Sequence, residues 1–174
     1  MKISITAFLS ILLFIASGAF AINAGHAFSG SLNATDTVLF PGETHFTNVR
    51  QLTFGGDNAE AYFSFDGKYL IFQKTNTKEG IQCDQIWMGK IPETTGEKFE
   101  PKLVSTGTGR TTCAYFYPDG KHLLYGSTHL ADKACPPVPD RSKYGNKYIW
   151  AIYEGFDIFK ADVNGKIVKR LTKT

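Results

Sequence analysis

The chain has 174 residues, of which 43% are hydrophobic and 14% aromatic, and it carries a formal charge of +3. That much apolar surface excludes a disordered chain, and so small and scattered a positive charge excludes an electrostatic nucleic-acid binder. No long helical periodicity is present, so the composition predicts an all-β globular protein with no nucleic-acid partner.

The N-terminus reads as a targeting segment. Lys2 precedes an apolar run from Ile3 to Ile15, and Ala19-Phe20-Ala21 is an A-x-A cleavage pattern. Residues 1–21 are therefore expected to be a signal peptide, and the mature protein to be periplasmic or secreted. The apolar run is too short for a membrane span, so no stable span is expected after cleavage. No cysteine stands near the cleavage point to carry a lipid anchor. Residues 22–43 read as an N-terminal linker. They include Asn33-Ala34-Thr35, a sequon with meaning only in a eukaryotic secretory pathway.

A first strand is predicted over His45 to Thr53. Beyond it the chain says nearly the same thing twice. Ala61-Tyr62-Phe63-Ser64-Phe65-Asp66-Gly67-Lys68-Tyr69-Leu70-Ile71-Phe72 returns 53 positions later as Ala114-Tyr115-Phe116-Tyr117-Pro118-Asp119-Gly120-Lys121-His122-Leu123-Leu124-Tyr125. Each copy is an aromatic-rich strand, an Asp-Gly turn and a second strand, a strong hairpin signal. Third strands follow at Gln85 to Ile91 and Asp157 to Val163. Fourth strands follow at Pro101 to Ser105 and, past the Asn164-Gly165 turn, at Ile167 to Thr172. Four antiparallel strands repeated at a fixed period are the make-up of propeller blades, here about 54–105 and 110–174.

Phe63-Ser64-Phe65-Asp66-Gly67-Lys68, Tyr117-Pro118-Asp119-Gly120-Lys121, Asp157-Ile158-Phe159 and Lys169-Arg170-Leu171-Thr172 together resemble the WD40-like propeller repeat of the TolB type. Phe65 stands where that pattern has proline, and Gln85 where it has aspartate. The resemblance covers roughly Thr44 to Thr174. It implies a partial β-propeller: two four-stranded antiparallel blades plus a fourth strand, His45 to Thr53, from a further blade. Two blades do not close a ring, so the expectation is an N-terminal portion of a larger propeller, or else an assembly of part-rings. Phe63, Phe65, Ile71, Phe116, Leu123 and Tyr125 are then expected to be only partly buried.

Strand order places the entry to each first strand and the loop between second and third strands at one end of the sheets. Glu60, Asp84, Arg110 and His129 gather there, and form with Trp150 a candidate binding face. Cys83, Cys113 and Cys135 belong to the same end. In an exported protein two of the three are expected to be bonded, with Cys113 favoured as one partner. Cysteine, histidine and carboxylate on one rim suggest zinc, but no C-x-x-C or H-x-x-x-H spacing supports it, so no metal is assigned. His26, His45 and His122 read as ordinary surface histidines.

Ile86 to Ile158 spans 72 positions where the hairpins are offset by 53, so the second repeat carries about 19 extra residues. The inserted segment, 130–146, is proline-rich and leads into Lys147-Tyr148-Ile149-Trp150-Ala151-Ile152-Tyr153. A stiff loop bearing aromatics suits binding, and equally suits covering a sheet edge. No G-x-S-x-G elbow, H-E-x-x-H or phosphate loop occurs, and Gly107 to Thr112 reads as a sheet-to-sheet link. The expected function is a non-enzymatic exported scaffold that binds a protein or envelope polymer, with no cofactor. The alternative is the propeller portion of a prolyl-oligopeptidase-type serine peptidase whose catalytic domain is absent from this chain.

Overall fold

A computed structural model describes residues 40–173 apart from 47, 95 and 146. The expected signal peptide, His26, the sequon and nearly all of the linker lie outside the described residues. The described chain is all-β. Strands β1 (Asp57–Phe63), β2 (Tyr69–Asn76), β3 (Ile81–Lys90) and β4 (Lys102–Leu103) form one antiparallel sheet in sequential order. Strands β5 (Thr111–Phe116), β6 (His122–Ser127), β7 (Asp157–Asp162) and β8 (Ile167–Arg170) form a second.

The two sheets share one register. Leu70 faces Gly89 and Phe72 faces Trp87, just as Leu123 faces Ala161 and Tyr125 faces Phe159. Val104 donates its amide to the Ile86 carbonyl at 2.9 Å, and Leu171 does the same to Ile158 at 2.7 Å. Even the irregularity is duplicated. β1 slips register between Ala59 and Tyr62 and β5 between Thr112 and Tyr115. Each bulge puts two residues opposite one and turns the strand.

Turn chemistry explains both hairpins. Gly67 and Gly120 have φ of 70° and 64°, a conformation that costs glycine least. Asp66 accepts from the Lys68 amide at 3.1 Å, and Asp119 from the Lys121 amide at 2.9 Å, so each carboxylate ties down its own turn. The Asn164-Gly165 turn is held likewise by Asp162, which accepts from the amides of Asn164 and Lys166.

The core lies between the sheets. Ile71, Ile86 and Val104 from the first meet Ala114, Phe116, Leu123, Tyr125, Phe159 and Ala161 from the second. Cross-strand partners share a face, so one face of the first sheet covers the opposite face of the second. Burying aliphatic and aromatic side chains of this size contributes about 2 kcal/mol each.

Three expectations change. The segment His45 to Thr53 is not a strand: among its described residues only Arg50 makes an isolated bridge. No neighbouring strand offers it a ladder, and Arg50 instead caps the Pro92 and Thr94 carbonyls with its guanidinium. Ile71, Phe116, Leu123 and Tyr125 are buried rather than partly exposed, because the second sheet covers the first; Phe63 and Phe65 stay exposed. The third strand of the first sheet begins at Ile81, four residues early, so Cys83 and Asp84 lie within it.

The Tyr125 hydroxyl is buried without a hydrogen-bond partner, and burial pushes its pKa up to about 12. Replacing Tyr125 by Phe removes an unsatisfied donor and should stabilise the protein by about 1 kcal/mol in denaturant unfolding. Asp119 is held at about 2 by the Lys121 amide first and then by His122, against 3.8 for a free carboxyl. Its folded pKa is depressed, so its stabilisation is complete above pH 3.8 and is lost as pH falls through about 2. The thermal midpoint should therefore drop over that window, and Asp119→Asn should flatten part of the drop.

Candidate functional site

Register aligns Thr111, Ser127 and Asp157 at one end of the second sheet, and Asn58, Lys74 and Gln85 at the matching end of the first. Each end is built on a polar knot of the same design. In the first, Ser105 donates its hydroxyl to Gln85 Oε1 at 2.8 Å and accepts from the Ile86 amide at 3.0 Å. In the second, Thr172 donates to Asp157 Oδ1 at 3.0 Å and accepts from the Ile158 amide at 2.8 Å. Arg170 pairs with the other Asp157 oxygen. At the position matching Arg170 the first sheet has Leu103, so a carboxylate there would lie buried without this cation. The neutral Gln85 keeps the acceptor, and its amide donates to the Gly109 carbonyl at 2.7 Å.

In the sequence Asp157 reads only as the start of a third strand, and this knot is not apparent there. The signal was in the repeat. Asp157 and Thr172 stand 72 and 67 positions after Gln85 and Ser105, the offsets of their strands.

Asp84, within β3, and Arg110 come together. Arg110 approaches Asp84 at 3.5 Å, and Thr75 donates to the same carboxylate at 2.6 Å. The Arg110 guanidinium also lies 5.6 Å from the ring centre of Tyr153, tying the insertion to the link between the sheets. Both charges are partly exposed, so the pair contributes little energy and mainly sets position. Gly109 anchors the same corner: its amide donates to the Lys133 carbonyl at 2.8 Å. A β-carbon on Gly109 would sit 2.7 Å from the His129 backbone nitrogen.

His129 reaches this end through another contact. Its Nδ1 is 2.8 Å from Ser127 Oγ, and its ring lies 4.4 Å from that of Phe159. Burial lowers its pKa, with Asp157 opposing and Arg170 adding to the effect, so the imidazole is neutral at pH 7. Serine, histidine and aspartate here do not form a nucleophilic triad. Ser127 is fully buried, and both Asp157 oxygens are already engaged by Arg170 and Thr172.

The cysteine expectation is corrected. Cys83 is bonded to Cys135 and Cys113 is free, the reverse of the favoured pairing. Cys113 does not sit at the strand entry. It occupies the β5 bulge with φ 50°, and Glu60 occupies the matching β1 bulge with φ 49°. Glu60 therefore stands apart from the Asp84–Arg110 pair and faces the Cys113 thiol. The Thr112 hydroxyl pulls that thiol's pKa down, but burial and Glu60 outweigh it, leaving the thiol above its ordinary value and weakly nucleophilic.

Between the sheet end and the insertion lies a cleft of about 490 Å³, lined by Trp87, Leu103, Gly107, Gly109, Lys133 and the disulfide. Trp150 does not line it. It stands on the insertion 77% exposed, its ring edge-to-face with Tyr148 at 5.9 Å. The insertion itself is irregular, with one 3₁₀ turn at Arg141–Tyr144. Among the described residues no helix is long and apolar enough to cross a membrane.

No model of a known protein family matches the chain, and no curated protein matches it either.

The disulfide closes 52 residues of chain, which in the chain-entropy account contributes about 4 kcal/mol. Alkylation of the denatured, unreduced protein should modify one thiol, Cys113. Cys83→Ala should leave Cys135 as a second reactive thiol and lower stability by about that amount. Three thiols in the unmutated protein would rule the bond out.

Proposed function

We propose that the two sheets are blades of a TolB-like propeller in an exported, non-enzymatic scaffold that binds a protein or envelope polymer. The observation that carries this reading is the duplicated register. Two sheets of four sequential strands repeat their pairings, bulges, Asp-Gly turns and strand-end knots, and pack face on face. Duplicated antiparallel sheets stacked in this way are the construction principle of propellers.

The Asp84–Arg110 corner and the insertion together supply the binding surface. The Cys83–Cys135 bond and Arg110–Tyr153 contact hold the insertion's two sides. A loop so restrained loses little entropy on binding. Tyr148 and Trp150 then present large rings to solvent, the side-chain types that most often anchor interfaces.

Binding should be measured as co-sedimentation with purified peptidoglycan and as surface binding to detergent-solubilised envelope proteins. Trp150→Ala should weaken the interaction about tenfold or more, with the unfolding midpoint unchanged. Binding that is indifferent to Trp150 and Tyr148 would place the surface elsewhere. Retention of the protein in the cytoplasm, read with a reporter fusion, would remove the export reading.

A further inference from the structure

The chain that returns from the insertion to β7 alternates. Tyr148, Trp150 and Ile152 are 77%, 77% and 95% exposed, while Ile149, Ala151 and Tyr153 between them are half-buried. Successive side chains on opposite sides are the signature of extended chain, and no turn or bend interrupts residues 147–153. The Tyr148 and Trp150 rings, one residue between them, accordingly meet edge to face with their centres 5.9 Å apart. Aromatic and β-branched residues dominate the segment, as they do in strands. It is a strand in all but its pairing.

Among the described residues, no backbone amide or carbonyl of 148–153 is hydrogen-bonded within the fold. β7, into which the segment runs, already has β6 on one side and β8 on the other, so it offers no open edge. The segment is held from outside any ladder instead. The Lys147 amide donates to the Tyr144 carbonyl at 3.2 Å, and the Tyr153 hydroxyl donates to the Pro137 carbonyl at 3.2 Å. Arg110 lies over the Tyr153 ring. A row of backbone donors and acceptors, fixed at both ends, is thus presented to water, which is what makes a strand edge a template for pairing. Charge marks one end. Arg141, Lys143 and Lys147 are exposed ahead of the segment and form no ion pair among the described residues, whereas Glu154 follows it.

We propose that residues 147–153 receive an extended segment of a partner polypeptide, which adds to them as an antiparallel strand. A polypeptide supplies N–H and C=O groups at the strand repeat of roughly 3.3 Å per residue. A glycan stacks on Trp150 but leaves that backbone row unmatched. Main-chain bonds then give affinity, and Tyr148, Trp150 and Ile152 select apolar side chains on their own face. Antiparallel pairing, the more stable ladder, sets the partner's C-terminal end beside Lys147. That end is acidic, to meet Arg141, Lys143 and Lys147. This partner is a narrower form of the protein or envelope polymer proposed above, and rests on that reading.

An array of capped synthetic peptides provides the test, titrated against the purified protein by fluorescence anisotropy. In each, threonine alternates with valine, isoleucine or tyrosine, and aspartates stand at the C-terminal end. The array should contain binders, and Trp150→Ala should weaken them about tenfold or more without moving the unfolding midpoint. Only alternate residues of an added antiparallel strand bond to the edge. N-methylation of one alternate set of peptide amides should therefore abolish binding, and of the other set should leave it. Placing the aspartates at the N-terminal end, or combining Arg141→Glu with Lys143→Glu, should weaken binding at low salt and matter less at high salt. Two methylated sets that both bind like the parent overturn the proposal, as does an array without binders. So does a wild-type protein that self-associates and is returned to monomer by Trp150→Ala, which makes a second copy the occupant. Peptidoglycan held through Trp150 with no peptide bound also overturns it, but leaves the scaffold reading intact. Absence of binding to peptides, peptidoglycan and envelope proteins alike removes both.

Discussion

The structure depends on the contact of two unlike sheet faces. Ile71, Ile86 and Val104 present a shallow aliphatic surface, and Phe116, Tyr125 and Phe159 lay aromatic rings across it. The first sheet buries side chains on both faces, Ile71 and Ile86 on one and Phe72 on the other, whereas the second is apolar where it meets the first and mixes Leu124 and Ile158 with His122, Lys160 and Asp162 on its other face. Each sheet therefore needs the other to cover the apolar face they share. Sheet on sheet packing supplies the burial that offsets the conformational entropy lost in ordering eight short strands.

Around that contact, the strand ends solve one problem with two chemistries. Backbone amides at Ile86 and Ile158 each need an acceptor beyond the ladder, and a hydroxyl provides it in both sheets. The hydroxyl is in turn oriented by an acceptor on the neighbouring strand. Where a guanidinium is within reach that acceptor is a carboxylate, Asp157; where the partner is Leu103 it is an amide, Gln85. A buried carboxylate requires a compensating charge and an amide does not, so the substitution follows from its neighbour. Gln85 then has an amide proton to spare, and spends it on Gly109, in the link between the sheets.

The insertion is joined to this scaffold rather than folded with it. Among its described residues it contributes no strand, and the regular structure there is one 3₁₀ turn started by the Asp140 side chain. What holds it are the bond from Cys135 to Cys83, the Lys133 carbonyl accepting from Gly109, and Tyr153 beneath Arg110. These attachments leave the rings of Tyr148 and Trp150 outward, and leave Glu60 and Cys113 a separate pair in their bulges.

The repeat, the Asp-Gly turns and the eight strands were legible in the sequence because they rest on local physics. Alternation selects extended chain, glycine accepts positive φ, and an aspartate two residues upstream of an amide closes the turn. The contact of Asp84 with Arg110 came from the fold, since Asp84 lies inside β3 and not in the loop ahead of it. Other features required the tertiary structure. Cys113 lost its expected bond to a bulge within β5, and a bulge depends on how a strand bends over its neighbour. The strand expected at His45 to Thr53 failed because a strand exists only beside another, and its pattern carries no information about who stands there. Burial of Ile71 and Leu123, against exposure of Ile158 and Leu171, was likewise beyond the sequence. Ile71 and Ile158 both stand in alternating strand patterns, and the place of each sheet in the stack decides which of them is covered.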